Sequence, residues 1–383
     1  MPRKRHSALA LALSAVTVAA LMGIASPAAV ASQPAPAPQA APTTAPASAV
    51  SRIEEETARA VAVSLADRRW RAQVRTAALA SDQVDLPALT NSATNPAGKA
   101  LRSEVATADR RITAAKGLDA ATGSLLRLRL AAPSMRPELT GGTTPLVAAA
   151  TTDDDTKTVT AYDSQGRTHT LDARQAPSRP VYVIDIDAAR SMTAGLDIIN
   201  KEFAKRGLHP VAPARDKAAE AGIWTTRIDS VHVTDVQEPW PLGDAEIFSI
   251  VSGFGPDGKV RVDTVDMPYL DNGGTDYYPN QVLVNWSSYK YNLADVVMME
   301  DDGDTNYQAL AKAIADILLT VTDQGVYIPL VDAILDALPA SWYTNDADYV
   351  DSWYALGKDS TGRVNGARGN GWMTVSPYFV DQL

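Results

Sequence analysis

The stretch VVMMEDDGDTNYQALAKAI, residues 296–314, contains the transition that decides the fold of the C-terminal half. An apolar run leads into four carboxylates within five residues, and a helical pattern follows. The order Asp-x-Asp-x-Asn matches the start of an EF-hand loop, but Tyr307 stands where that loop needs glycine and Ala313 where it needs glutamate. We therefore predict a strand that ends in acidic residues, followed by a helix that Thr305 and Gln308 cap as a T-x-x-Q capping box.

Strand patterns surround this stretch over residues 223–383. Apolar and polar residues alternate in IWTTRIDSVHVTDV, and the turn sequence GPDG joins AEIFSIVSGF to KVRVDTVDM as a hairpin. Two helical patterns cover residues 306–321 and 326–338. We predict an antiparallel β sandwich with two inserted helices for residues 223–383.

Helical patterns dominate residues 51–140, where amphipathic helices are predicted over residues 51–79 and 97–116. The arginines of these helices are typical either of a solvent-exposed helix face or of an anion-binding patch. The pattern of residues 141–222 predicts an α/β connector with a hairpin, a short buried strand and a helix. The predicted fold class is therefore α+β.

The N-terminal sequence predicts export. Residues 1–31 combine a basic start, an apolar run and an A-x-A site, which is typical of a signal peptide cut after Ala31. Residues 32–50 are rich in Pro and Ala and read as an extended linker. No later segment approaches the roughly 18 uncharged apolar residues of a membrane span, so a secreted protein with no transmembrane segment after cleavage is expected.

Composition excludes several classes of function. The chain of 383 residues has no cysteine, which excludes thiol catalysis and thiolate metal sites. Residues 231–383 contain 7 Lys and Arg against 23 Asp and Glu, which argues against nucleic acid as a partner. Such an acidic half favours cation binding, or merely solubility.

Acidic residues recur where predicted strands end, and loops at one end of a sandwich can converge. Calcium takes six to eight oxygen ligands, so we predict calcium as the cofactor of these loops. The predicted metal ligands are Asp244, Glu300, Asp301, Asp302, Asp304, Asp346, Asp348 and Asp351. Solvated acidic loops without a metal remain an open alternative, as does a carboxylate pair for glycosidase-type acid–base catalysis.

Known catalytic signatures are missing from the sequence, which contains no G-x-S-x-G, H-E-x-x-H or Walker motif. Aromatic residues concentrate in the second half, within YLDNGGTDYYPN and NWSSYKYN among other segments. They suit either core packing or a platform for an extracellular carbohydrate or peptide.

Three segments resemble an uncharacterised family of exported bacterial proteins: DAEIFSIVSGF, VVMMEDDGDTNYQALAKAI and DSWYALGKDSTGRVNGARGNGWMTVSPYFV. The N-terminal ARAVAVSLADRRWRAQVR is similar to the helices of that family, whose domain has no known function. The β region also looks like C2-type sandwiches, whose loops bind calcium through D-x-D pairs. Asp302 with Asp304 and Asp346 with Asp348 stand at the matching positions.

The sequence therefore favours a secreted, calcium-stabilised binding module. Two alternatives stay open, a secreted hydrolase with its site between the helical and β regions, and an extracellular structural or adhesion module. Whether the chain is an enzyme is not decided by the sequence.

Overall fold

The computed structural model describes residues 48–151, 156–210, 222–235, 240–241, 243, 245–301, 303–338 and 349–381. The predicted signal peptide and nearly all of the predicted linker lie outside these residues. Four predicted metal ligands also lie outside them: Asp244, Asp302, Asp346 and Asp348. All described residues belong to one compact unit, which spans residues 47–383.

The described helices and strands confirm a mixed α+β fold. The α-helices are α1 (Ala49–Ser64), α2 (Arg68–Ala80), α3 (Leu86–Asn91), α4 (Pro96–Ala115), α5 (Arg136–Thr140), α6 (Ala188–Lys205), α7 (Tyr307–Leu318) and α8 (Val331–Ala337). The strands are β1 (Gln83–Asp85), β2 (Leu126–Leu130), β3 (Leu146–Ala149), β4 (Thr158–Tyr162), β5 (Thr168–Asp172), β6 (Val181–Ile186), β7 (Gly222–Val233), β8 (Ile247–Phe254), β9 (Val260–Asp266), β10 (Thr275–Tyr277), β11 (Gln281–Asn285), β12 (Leu293–Glu300), β13 (Tyr349–Gly357), β14 (Gly362–Asn365) and β15 (Gly371–Asp381).

The single helix predicted over residues 51–79 is two helices in the structure. Helix α1 ends at Ser64, and the side chain of Asp67 caps α2 by accepting hydrogen bonds from the N–H groups of Arg69 and Trp70 at 2.8 Å. The apolar periodicity continues across the break, which is why it suggested one helix. The N-cap aspartate is the local signal that divides it.

The first sheet has the strand order β1-β2-β6-β3-β4-β5 and is antiparallel except for the parallel pair β3 and β6. Its strands come both from residues 51–140, predicted as helical, and from residues 141–222, predicted as a connector. Leu126, Leu128, Tyr182 and Ile184 belong to one apolar core with residues of α1, α2, α4 and α6. This sheet therefore carries the N-terminal helices.

The C-terminal strands form two further antiparallel sheets. One has the order β10-β7-β15-β14 with β11 also paired to β7, and the other has the order β13-β12-β8-β9. On β12, Val296 and Met298 join an apolar core shared by the two sheets, whereas Val297 and Met299 join the core that contains α7. The run VVMM is continuously apolar because both faces of this strand are covered.

Helix α7 begins one residue later than predicted. Asn306, not Thr305, is the N-cap, and its Oδ1 accepts a hydrogen bond from the N–H of Ala309 at 2.9 Å. At its first residue, α7 packs on α6 through the fully buried ring of Tyr307. A Cβ built on Gly195 would lie 2.3–2.4 Å from ring atoms of Tyr307, so only glycine permits this approach.

Candidate functional site

Distant parts of the chain meet where β12 ends. The N–H of Tyr307, at the start of α7, donates to the carbonyl of Lys116 at 3.0 Å, just after α4 ends. The side chain of Asn306 donates to the carbonyl of Ala115 at 2.7 Å. These bonds hold the acidic loop 301–306 against the end of α4. We call Glu54, Lys116, Asp301, Asp304 and Tyr307 the carboxylate cluster.

A fully buried ion pair lies at the centre of the carboxylate cluster. The Nζ of Lys116 lies 3.4 Å from both carboxylate oxygens of Asp301 and donates to the carbonyl of Gly303 at 2.8 Å. Neither charged side chain is exposed to solvent. The hydroxyl of Tyr307 donates to Asp301, and its ring centroid lies 5.1 Å from the lysine Nζ. The ammonium group is therefore engaged within the cluster.

Glu54 enters the carboxylate cluster from α1 and is only 2 % exposed. Its Oε2 atom is buried and has no hydrogen-bond partner among the described residues. Burial raises the pKa of Glu54 well above its ordinary value, and the charges of Asp185 and Asp304 act in the same direction. The charge of Lys116 acts in the opposite direction. A proton or a cation is therefore favoured at this carboxylate.

Asp304 lies at the solvent-exposed rim of the carboxylate cluster, in contrast to Asp301 and Glu54. The three carboxyl groups share one ammonium group, Lys116, whose donors already serve Asp301 and Gly303. Negative charge thus exceeds positive charge inside the cluster, with one side open to water.

A polar cleft adjoins the carboxylate cluster on the first sheet. It is a cavity of about 360 Å³ whose lining includes Arg129, Asp185, Trp240 and Glu246. The Nε of Arg129 donates to Asp185 at 2.7 Å. The cleft lies between the first sheet and the segment that precedes β8. It adjoins the cluster because the carbonyl of Glu246 accepts a hydrogen bond from the N–H of Asp301 at 3.0 Å.

Of the eight predicted metal ligands, the structure describes Glu300, Asp301, Asp304 and Asp351. Asp301 and Asp304 lie in the carboxylate cluster, and Glu300 is the buried last residue of β12. Asp351 is buried on β13, where its carboxylate accepts hydrogen bonds from three backbone N–H groups. Among the described residues, no three Asp, Glu or His side chains are arranged to hold a metal ion.

Sequence reasoning missed Glu54 and Lys116. Glu54 belongs to an acidic run near the start of α1 and reads as a residue that favours a helix N-terminus. It nevertheless stands four and seven positions before Ala58 and Val61, which are fully buried. That spacing places Glu54 on the buried face of α1. It is the sequence pattern from which the burial of Glu54 could have been predicted.

The aromatic segments divide between core and surface. Trp286 and Tyr289 are buried, with their ring centroids 6.2 Å apart, and belong to the core shared by the two C-terminal sheets. Tyr278 is 70 % exposed. Trp286 and Tyr289, which the sequence offered for an aromatic platform, therefore pack in the core. The ring of Tyr278 is exposed to solvent.

Residues 57–383 match the family model described as "Protein of unknown function (DUF3103)". The chain belongs to the DUF3103 family. The matched region includes Lys116, Asp301 and Tyr307 of the carboxylate cluster, while Glu54 stands three positions before it. No curated protein and no solved structure matches the chain.

The described part of this DUF3103 chain contains no helix that is both long and apolar enough to cross a lipid bilayer.

Proposed function

We propose that the chain is a secreted binding protein in which the carboxylate cluster takes a calcium ion. One observation carries the proposal. Glu54 is buried, and one of its oxygens has no hydrogen-bond partner among the described residues. Further carboxylates and a lysine that is already engaged lie beside it. Export is inferred from residues 1–31 of the sequence.

Calcium suits this site because it takes oxygen ligands in flexible geometry. Glu54 supplies one buried oxygen, and Asp304 supplies a carboxylate at the open rim. Asp302, which precedes Gly303, is a further ligand predicted from the sequence. Extracellular sites bind calcium with dissociation constants of about 10⁻⁴–10⁻³ M, so even a weak site fills outside the cell.

The C-terminal sheets would form a C2-like sandwich in this proposal. Their shared apolar core, to which Val296 and Met298 of β12 belong, supports it. The bound ion would hold the loop that ends β12 in place, and acidic loops beside exposed aromatic residues such as Tyr278 would contact a carbohydrate or peptide.

Calcium is expected to raise the melting temperature of the wild-type chain relative to the same protein in EDTA. At about 100-fold saturation a site adds roughly 2.7 kcal/mol to the free energy of unfolding. In a unit of this size, whose unfolding entropy is about 0.7 kcal/mol/K, that corresponds to an increase of about 4 °C. Differential scanning calorimetry at neutral pH measures the shift.

Two variants and a control test whether the calcium-induced rise in melting temperature comes from the carboxylate cluster. Glu54→Gln and Asp304→Asn each remove one charge with little change of shape, and both are expected to lose the calcium shift. Asp359→Asn alters an exposed carboxylate outside the carboxylate cluster and is expected to keep it. A shift that persists in both cluster variants, or no shift in the wild type, would contradict calcium at this site.

The pH dependence of stability gives a second prediction. Because the pKa of Glu54 is raised in the folded protein, the unfolded chain releases this proton first as the pH increases. In EDTA, the contribution of Glu54 to stability is therefore present below its unfolded pKa, near 4.5, and is lost as the pH rises through the folded pKa. Urea unfolding across this range measures the slope.

Glu54→Gln is the control for the pH experiment, since it removes one titrating group and should reduce the slope. Burial also raises the pKa values of Asp266, Asp295 and Asp304, so these carboxyl groups keep the remainder of the slope. Asp323 does not contribute in this range, because its hydrogen bond from Lys290 lowers its pKa to about 2. An equal slope in wild type and Glu54→Gln would contradict the assignment.

A secreted hydrolase is the second candidate, and the polar cleft is the observation that favours it. Asp185 and Glu246 line this cavity at the junction of the first sheet and the β8 segment. A buried carboxyl group that keeps its proton near neutral pH can serve as a general acid. Hydrolysis of a model glycoside by the wild type that is lost in Asp185→Asn, combined with no calcium shift, would favour the hydrolase over the binding protein.

A further inference from the structure

A second polar site lies on the N-terminal helices, outside the carboxylate cluster. Helix α2 presents Arg68, Arg71 and Arg75 to one cavity of about 220 Å³. Their spacing of three and four positions places the three side chains on one face of the helix. The opposite wall includes Thr143 and Tyr182. We call these five residues the arginine pocket.

Within the part of the chain that the structure describes, the three guanidinium groups have no acidic partner. Among the described residues, neither Arg68 nor Arg75 forms an ion pair, and Arg71 donates only to the carbonyl of Leu65, at 2.6 Å. By contrast, Arg127 of the first sheet is paired with Asp187 at 2.6 Å. Like charges at these helix spacings repel one another, so the arrangement favours an anion between them.

Carboxylates do not neutralise the arginine pocket from the facing loop either. Glu138 is exposed and accepts a hydrogen bond from the Thr143 hydroxyl at 3.3 Å, with no ion pair to an arginine. Gly142 adopts a φ of 93°, and a Cβ there would stand 3.6 Å from an Nη atom of Arg75. The backbone of this turn therefore lies close to the guanidinium group of Arg75.

Tyr182 provides an independent observation that points to a ligand. The residue is fully buried in the first sheet, and its hydroxyl has no hydrogen-bond partner among the described residues. Burial raises the pKa of Tyr182, against the charge of Arg75, so the phenol keeps its proton and is a donor. A buried hydroxyl without an acceptor is unfavourable unless a bound group supplies one.

We propose that the arginine pocket binds a phosphate group, as inorganic phosphate or as the phosphate of a small ester. Guanidinium groups bind phosphate through paired N–H···O bonds, and the tyrosine hydroxyl adds one donor. The cavity is smaller than a typical drug-sized site of about 300–1,000 Å³, which suits a compact anion. The proposal is independent of the calcium site.

Isothermal titration of the full chain with inorganic phosphate and, separately, with glycerol phosphate tests the proposal. Saturable binding of either probe is expected. Tighter binding of glycerol phosphate would identify an ester as the ligand class, and tighter binding of inorganic phosphate would identify the free anion. The absence of saturable binding of both probes at constant ionic strength would overturn the proposal.

Two variants distinguish phosphate binding in the arginine pocket from nonspecific attraction of phosphate to positive charge. Arg75→Gln is expected to weaken phosphate binding by about tenfold or more, because a charged hydrogen-bond donor is lost. Arg69→Gln is the matched control on the same helix, since Arg69 is exposed and does not line the pocket. Equal affinity in the wild type, Arg75→Gln and Arg69→Gln would overturn the proposal.

Tyr182→Phe adds a readout that a purely structural role would not produce. Removing an unpartnered hydroxyl should leave the melting temperature of the ligand-free protein unchanged or raise it, while phosphate affinity falls. A lower melting temperature with unchanged affinity would show that the hydroxyl supports the fold and not the ligand.

Discussion

Replacing Lys116 with methionine is expected to lower the free energy of unfolding by about 3–5 kcal/mol, the usual cost of breaking a buried ion pair from one side. Lys116 and Asp301 are both fully buried. Among the described side chains, the substitution leaves Asp301 with only the hydroxyl of Tyr307 as a donor. Urea denaturation at neutral pH measures the loss.

Three comparisons test the cause of that loss. Lys312→Met changes an exposed lysine on α7 and should alter stability little. The double variant Lys116→Met, Asp301→Leu should recover part of the stability, because no carboxylate is then left unpaired. The deficit of Lys116→Met should also shrink as the pH falls and the carboxylates take protons. A deficit that is the same in the double variant and at low pH would mean that packing, not charge, is responsible.

Asp351→Ala is expected to lower the free energy of unfolding by about 3 kcal/mol or more. The carboxylate of Asp351 accepts hydrogen bonds from the N–H groups of Ser352 and Arg368 at 2.8 Å and of Gly371 at 2.7 Å. Each buried donor left without an acceptor costs about 1–3 kcal/mol. Guanidinium chloride unfolding of the wild type and variant gives the difference.

Unfolding measurements with and without calcium distinguish the structural role of Asp351 from the metal-ligand role predicted from the sequence. The loss in Asp351→Ala should be the same in EDTA and in calcium, because backbone N–H groups occupy the carboxylate. A Cβ on Gly366 would lie 2.1–2.3 Å from that carboxylate, which shows how closely the loop after β14 surrounds it. Asp359→Ala is the exposed control. A loss that appears only in calcium would restore Asp351 as a ligand.

Local patterns predicted most helices and strands correctly. The GPDG hairpin corresponds to β8 and β9, and the helix predicted over residues 97–116 corresponds to α4. The helix boundaries that were predicted incorrectly differ because a neighbouring residue caps the helix. Asp67 divides one predicted helix into two, and Asn306 caps α7 in place of Thr305.

The sequence predicted the location of the acidic loop but not its surroundings. Glu300, Asp301 and Asp304 follow an apolar strand, and hydrophobic periodicity is enough to place them at a strand end. Lys116 stands 185 positions from Asp301, and no spacing rule joins two residues so far apart in the chain.

The sequence by itself determined the α+β class, most element positions, the acidic end of β12 and the prediction of export, because these depend on neighbours within a few residues. Only the tertiary structure decided which carboxylates are buried, that Lys116 pairs with Asp301, and that three arginines of α2 face Tyr182. Burial and ion pairing are set by contacts between distant segments. Such contacts form only when sheets and helices pack together.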